Sequence, residues 1–222
     1  MNNKQLVVKG VIFDLNGTLI EDTQLHNNAW DIFLSDKNVR LSDEDKVNFM
    51  HGKSNREIFE FIFPGQLSND EVFRMAEEKE SIYRQLFLDS GIQLVNGAVD
   101  LFKYLKDKGI AFAIATSSSK VNVDFFIETL HLLDYFDSEH IIYNDGTIPG
   151  KPDPLIFQMA MKVLGLQAKE VLIFEDSPAG ILGAQRSEAG SIVIVDTNEN
   201  DFTHWNYPVI KDFTELDRSL FF

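Results

Sequence analysis

The sequence predicts an α/β fold, a doubly wound parallel sheet interrupted after its first strand by an all-helical insert. Three observations carry this. Short apolar runs rich in β-branched residues, such as Val11-Ile12-Phe13, recur along the chain and end at polar turn residues, as strands buried on both faces do. After Gly91 these runs alternate with segments of helical periodicity, which implies a parallel sheet covered on both sides. Between Glu21 and about Ser90 no strand-like run occurs, and four segments carry apolar residues at helical spacing.

The first apolar run, residues 6–13, ends on Asp14, and Asn16-Gly17-Thr18 then supply a turn. A carboxylate is thereby presented at the carboxyl end of an open sheet, where such folds hold ligands. Asp14 is a candidate nucleophile or metal ligand, and the plainer reading is a turn-capping aspartate. Helices are expected over 24–34, 43–50, 56–63 and 69–88. Ser42 before Asp43-Glu44-Asp45 marks one helix start, Ser68 with Glu71 has the form of a capping box, and Pro64-Gly65 separates two helices. A helix over 97–108 ends at Gly109. A strand over 110–115, a helix over 121–132 and a short strand over 141–143 follow. Next come a helix over 154–164 stopped by Gly165, a strand over 171–174, a helix over 178–187 opened by Pro178 and a strand over 192–195. The expected organisation is a core of residues 1–20 plus 91–222 with a helical cap of residues 21–90.

Composition narrows the function. The 222 residues carry 44% hydrophobic side chains and a formal net charge of −15. That charge repels phosphate backbones and disfavours nucleic acid. The absence of cysteine removes disulfides, thiolate catalysis and cysteine-based zinc sites. Residues 1–10 lack the apolar stretch of a signal peptide, and no run approaches a membrane span. The expectation is a cytoplasmic monomer with neither nucleic acid nor membrane as partner.

Three further strand ends carry polar residues. Thr116-Ser117-Ser118 offers hydroxyls to a phosphate, or else an ordinary helix cap. Lys151, between Gly150 and Pro152, sits on a restricted backbone that aims its ammonium, or else in a plain surface loop. Glu175-Asp176-Ser177 places two acids directly after a buried run with no basic neighbour in sequence. Crowded acids are costly unless a cation lies between them, and hard oxygen donors suit Mg²⁺.

Taken together, the stretch VIFDLNGTLI, the hydroxyls at 116–118, GKPDPLIF and FEDSPAGILGA resemble the four motifs of the haloacid dehalogenase superfamily. The resemblance spans essentially the whole chain. It is nearest to the subgroup of β-phosphoglucomutase and small sugar-phosphate phosphatases, which carry a helical cap after the first motif. It implies that Asp14 attacks the phosphoryl group and becomes an aspartyl-phosphate. It also implies that Mg²⁺ is held by Asp14, the Asn16 backbone carbonyl and Asp176, with Glu175 direct or through water. Thr116, Ser117 and Lys151 then hold the transferring oxygens. In the family pattern the position of Asn16 is a second aspartate, the general acid and base. An asparagine keeps the metal-binding carbonyl and loses that proton chemistry.

In the cap, His26 and Trp30 share a helix face, and HNNAW resembles the mutase segment near the hinge. Residues 51–56, HGKSNR, resemble the cap loop that reaches the active site. Lys53, Asn55 and Arg56 are therefore candidate substrate contacts, although the mutase pattern has arginine where Asn55 stands; a solvated helix start is the plainer reading. The leading expectation is a Mg²⁺-dependent phosphohydrolase of a sugar or polyol phosphate, impaired by Asn16. The alternatives are a mutase-type transfer and a weakly active protein that binds metal and phosphate. Asn16 as an introduced substitution is a further reading, as is phosphonatase chemistry at Lys53, which the surrounding motifs fit poorly.

Overall fold

The computed structural model describes residues 8–50, 53–65, 67–197 and 201–221. Among the described residues six strands form one sheet: β1 (Gly10–Phe13), β2 (Ala111–Thr116), β3 (Ile141–Tyr143), β4 (Val171–Glu175), β5 (Ser191–Val195) and β6 (Val209–Ile210). Their order is β3-β2-β1-β4-β5-β6, with every neighbouring pair parallel. Successive side chains of a strand face opposite sides, so the sheet builds two cores. Val11, Phe13, Leu172, Phe174 and Val193 meet Leu101 and Phe102 of α5 (Ala98–Asp107) and Val123 and Phe126 of α6 (Lys120–Leu130). Ile12, Ala113, Ile173 and Ile192 meet Ile156, Phe157 and Ala160 of α7 (Leu155–Leu164) and Ala184 of α8 (Pro178–Arg186). This is the doubly wound architecture expected from the alternation of apolar runs.

The chain travels outward from β1 to β2 and β3, then returns to β4 on the other side of β1. At such a reversal a crevice opens beyond the carboxyl ends of the strands. Asp14 directly follows β1, Ser117 follows β2 and Asp176 follows β4.

Between β1 and α5 lies the helical cap: α1 (Thr23–Ser35), α2 (Asp43–Phe49), α3 (Asn55–Ile62) and α4 (Asn69–Ser90). It has its own apolar cluster of Trp30, Phe33, Leu34, Met50, Ile58, Phe59, Val72 and Met75. Three of its helices open with complete capping boxes, Ser42 with Asp45, Ser54 with Glu57 and Ser68 with Glu71, which satisfy backbone N–H groups that a helix start leaves orphaned. The long α4 belongs to both units. Its first half packs Val72 and Met75 in the cap, while Tyr83 and Phe87 are buried against Phe126 of α6.

β6, only two residues long, is absent from the sequence expectation because so short a run carries no periodicity. The expected start of the first strand at residues 6–7, and His51 and Gly52 of the cap loop, lie outside the described residues. Among the described residues no helix is long and apolar enough to cross a membrane.

Candidate active site

Asp14 is buried, and its backbone N–H donates to the Phe174 carbonyl at 3.0 Å. The sheet ladder therefore still holds it. Lys151, also buried, donates from Nζ to Asp14 Oδ1 and to Glu175 Oε1, the latter at 2.5 Å. The second oxygen of Glu175 accepts from the Asp176 and Ser177 backbone N–H groups at 2.8 and 2.9 Å and from Ser177 Oγ at 3.1 Å. Glu175 is thus held from both ends and points Lys151 at Asp14. Local sequence makes this geometry. Ser177 caps α8 by accepting from the Gly180 N–H at 3.0 Å, and Pro178 occupies the first turn. A Cβ at Gly180 would lie 1.8 Å from Glu175 Oε1, so only glycine lets the helix start close over the carboxylate.

Asp176 completes the cluster. Its Oδ1 accepts from Thr18 Oγ1 at 3.0 Å. Gly17, at φ 85°, approaches so closely that a Cβ would lie 2.1 Å from Asp176 Oδ2. The turn after β1 and the turn after β4 therefore interlock through a glycine.

Carboxylate oxygens of Asp14, Glu175 and Asp176 lie within 4.8 Å of one another. Burial, against the pull of Lys151 and aided by the Glu175 charge, pushes the Asp14 carboxyl up to about 7. Burial and the charges of Glu175 and Asp14 raise Asp176 well above the usual carboxylate range. The same two acids hold the Lys151 ammonium above its ordinary value, although burial opposes it. One lysine thus answers two buried acids and a half-buried third, and Asp176 has a hydroxyl rather than a cation beside it. That imbalance, in an all-oxygen donor set, fits a divalent cation of the Mg²⁺ type.

Asn16 sits beside this cluster. Its Nδ2 donates to Asp22 Oδ2 at 2.6 Å and reaches Tyr83 Oη at 3.5 Å, while its Oδ1 accepts from Ser118 Oγ at 2.7 Å. Asp22 is buried and also accepts from the Gly17 N–H at 3.0 Å and from the Tyr83 hydroxyl. Burial pushes Asp22 up to about 6, even against the hydrogen bonds from Tyr83, Asn16 and Gly17. Beyond it, His26 lies 3.5 Å from Asp22 through Nε2, stacks on the Tyr83 ring at 3.9 Å, and meets Lys79 Nζ at 2.8 Å through Nδ1.

A cleft open to solvent runs from these carboxylates to the cap. It is lined at one end by Asp14, Asn16, Thr116, Ser117, Glu175 and Asp176, and at the other by His26, Trp30, Lys53, Asn55, Lys79 and Glu80. Most of the residues singled out in the sequence thus share one cavity. Thr116 Oγ1 accepts from the Ser118 N–H at 3.1 Å. Trp30 is both cap core and cleft wall. Lys151 and Arg56 are not among the cleft-lining residues: Lys151 is buried and meets the site through Asp14 and Glu175, whereas Arg56 belongs elsewhere. Arg56 is exposed, donates to Asn69 Oδ1 at 2.9 Å and lies 3.8 Å from Glu60. One residue beyond Asn55 on a helix turns the side chain about 100° away, so it serves the start of α4 and not the site. Lys151 is no surface lysine either.

A model of the haloacid dehalogenase-like hydrolases matches residues 11–194. The chain belongs to this hydrolase family. It is 25% identical over 208 residues to the validoxylamine A 7'-phosphate phosphatase of Streptomyces hygroscopicus subsp. limoneus, covering 94% of this chain and 95% of that one. It is 28% identical over 177 residues to hexitol phosphatase A of Escherichia coli, covering 78% and 77%. Among solved structures, a family IA, variant 3 hydrolase from Entamoeba histolytica superposes with a TM-score of 0.86 at 34% identity, covering 96% and 97%. The chain is accordingly an enzyme of the haloacid dehalogenase-like class.

Several site residues of this hydrolase escape a reading by motif. Asp22, Lys79, Glu80, Tyr83 and Asn122 come together only through the cap. Two left a trace. Asp22 stands four before His26, and Lys79 falls between Met75 and Tyr83 on the apolar stripe of α4, where a charged residue needs a buried partner.

Proposed function

We propose that this hydrolase removes the phosphoryl group from a small sugar or polyol monophosphate, with Asp14 as the nucleophile and Mg²⁺ as the resident cation. The observation that carries this is a buried carboxylate at the switch point of the sheet, with one oxygen bound to Lys151 and two further acids within 4.8 Å. Lys151 draws Asp14 Oδ1 to itself and leaves Oδ2 to attack phosphorus in line, while the ester oxygen departs. Thr116, Ser117 and Lys151 receive the equatorial phosphoryl oxygens. Asp14, Asp176 and the Asn16 backbone carbonyl hold the cation. When bound, it would offset the negative charge that gathers on the phosphoryl oxygens. Glu175, its oxygens taken up by Lys151 and by the Asp176–Ser177 turn, acts chiefly by positioning Lys151.

Residues 1–20 and 91–222 form the catalytic unit in this reading, and 21–90 the cap that closes over it and excludes water. Relatives that act on a validoxylamine phosphate and on hexitol phosphates support a polyhydroxylated substrate. Asn16 has no proton to give a poor leaving group and cannot act as a base towards the acyl-phosphate, so the chain should turn over slowly.

The test is phosphate release from a panel of sugar and polyol monophosphates, with an aryl phosphate alongside, with and without Mg²⁺. Release that depends on Mg²⁺ supports the reading. No release from any ester by a chain that Mg²⁺ measurably stabilises would overturn it.

A further inference from the structure

The cap end of the cleft is built around a buried carboxylate that no motif contains. Glu80 of α4 lines the cleft and is almost fully buried. Its Oε1 accepts from Lys79 Nζ at 3.0 Å and from Asn55 Nδ2 at 2.9 Å, and its Oε2 from Asn122 Nδ2 at 2.6 Å. Asn122, on α6 of the core, accepts in turn from Arg84 at 2.9 Å. Burial opposes ionisation of Glu80, but Lys79, His26 and the two amides overcome it and hold the carboxyl down at about 2. The residue is an ionised carboxylate, paired with Lys79, in the wall at the cap end of the cleft.

The surrounding charges decide what that end can hold. Lys79 is spent on Glu80 and His26, and Asp22 lies near it as well. Among the described residues, half-buried Lys53 is the remaining lysine that lines this end of the cleft. One lysine facing a buried carboxylate does not make a dianion site. Asn55 and Asn122, by contrast, each use one N–H on Glu80 and have a second to offer. Hydroxyl groups suit such a wall.

We propose that Glu80 is a specificity-determining residue that restricts this enzyme to monophosphates whose far end is neutral and hydroxylated, and that it rejects substrates with a second phosphate there. This rests on the phosphohydrolase reading above and adds to it the class of the distal group. Like-charge juxtaposition at a desolvated contact costs enough to reject a ligand.

The experiment measures the affinities of fructose 6-phosphate and fructose 1,6-bisphosphate by titration calorimetry with Mg²⁺. It uses an Asp14→Asn background so that neither ligand is consumed. In that parent the monophosphate should bind more tightly. Glu80→Gln, nearly isosteric, should shift the ratio of the two dissociation constants towards the bisphosphate by about tenfold or more. Asn55→Arg, at a half-buried position, should shift it the same way if the glutamine variant fails to fold. A cap that is merely loosened weakens both ligands alike and leaves the ratio unmoved. A ratio within about twofold of the parent's in the folded variants would overturn the inference. If the unmodified chain also hydrolyses an aryl phosphate with Mg²⁺, that result overturns the distal-group assignment alone. Binding of neither ligand to any variant would overturn the assignment together with the substrate class beneath it.

Discussion

Replacing Asn16 by aspartate should raise turnover of sugar and polyol phosphates, and the structure indicates why the new carboxyl would arrive protonated. Asn16 Nδ2 lies 2.6 Å from Asp22 Oδ2 in a part-buried network. Two carboxylates at that distance repel by roughly 6 kcal/mol at an effective dielectric constant of about 20. Keeping one ordinary carboxyl protonated at neutral pH costs only about 4 kcal/mol. Protonation therefore wins, and the pair shares one proton in the place now filled by the amide hydrogen. The hydrogen bond to Asp22 survives, and residue 16 gains a proton to donate to the leaving oxygen. A positioned acid–base group contributes about 10²–10⁴-fold, so kcat/KM for a sugar monophosphate should rise by that order. An aryl phosphate, whose leaving group needs no proton, should gain less in its first step. The assay is steady-state phosphate release on both esters, with melting curves in Mg²⁺ to show that fold and metal response are retained. A folded, Mg²⁺-stabilised variant that gains on neither ester would refute the reasoning.

Other outcomes follow from the same geometry. Mg²⁺ at 100 times its dissociation constant should stabilise the chain by about 2.7 kcal/mol, read as a rise in melting temperature that EDTA reverses; an unmoved transition would remove the metal site. Lys151→Met should abolish turnover and cost about 3–5 kcal/mol, because Asp14 and Glu175 are left buried without their shared cation; chemical denaturation that shows no loss would contradict the pairing. Glu80 has its carboxyl held down at about 2, against an unfolded value of 4.5, so the folded state binds fewer protons between those limits. Its contribution is complete above about pH 4.5 and is lost as pH falls towards 2. The stability advantage of the unmodified chain over Glu80→Gln should shrink across that window, and a gap that stays constant with pH would tell against the assignment.

The carboxylate end of the cleft was legible because its polar residues sit where strands stop. Asp14, Lys151, Glu175 and Asp176 each follow an apolar run or a proline-bound turn, and the strand order brings those ends to one crevice. The cap end was harder to read. Helical spacing places Asn55 and Arg56 one residue apart, and only the orientation of α3 decides that Asn55 faces Glu80 while Arg56 faces Asn69. Glu80 and Asn122 are 42 residues apart on separate units, and no local pattern couples them. Tyr83 and Asp22 are missed for the same reason: each looks like an ordinary helix or linker residue until α4 is laid against the turn after β1. β6 escapes because two residues carry no alternation.

The most direct measurement is the location of the covalent phosphate. The chain is mixed with an aryl phosphate and Mg²⁺, quenched in acid, digested and analysed by mass spectrometry. Attack by Asp14 should outrun hydrolysis of the acyl-phosphate, for which Asn16 offers no base, so one phosphoryl group should be found on the peptide that contains Asp14. It should be absent from the Asp14→Asn variant and depleted in Asn16→Asp. Phosphate on a different residue, or turnover that persists unchanged in Asp14→Asn, would contradict the account.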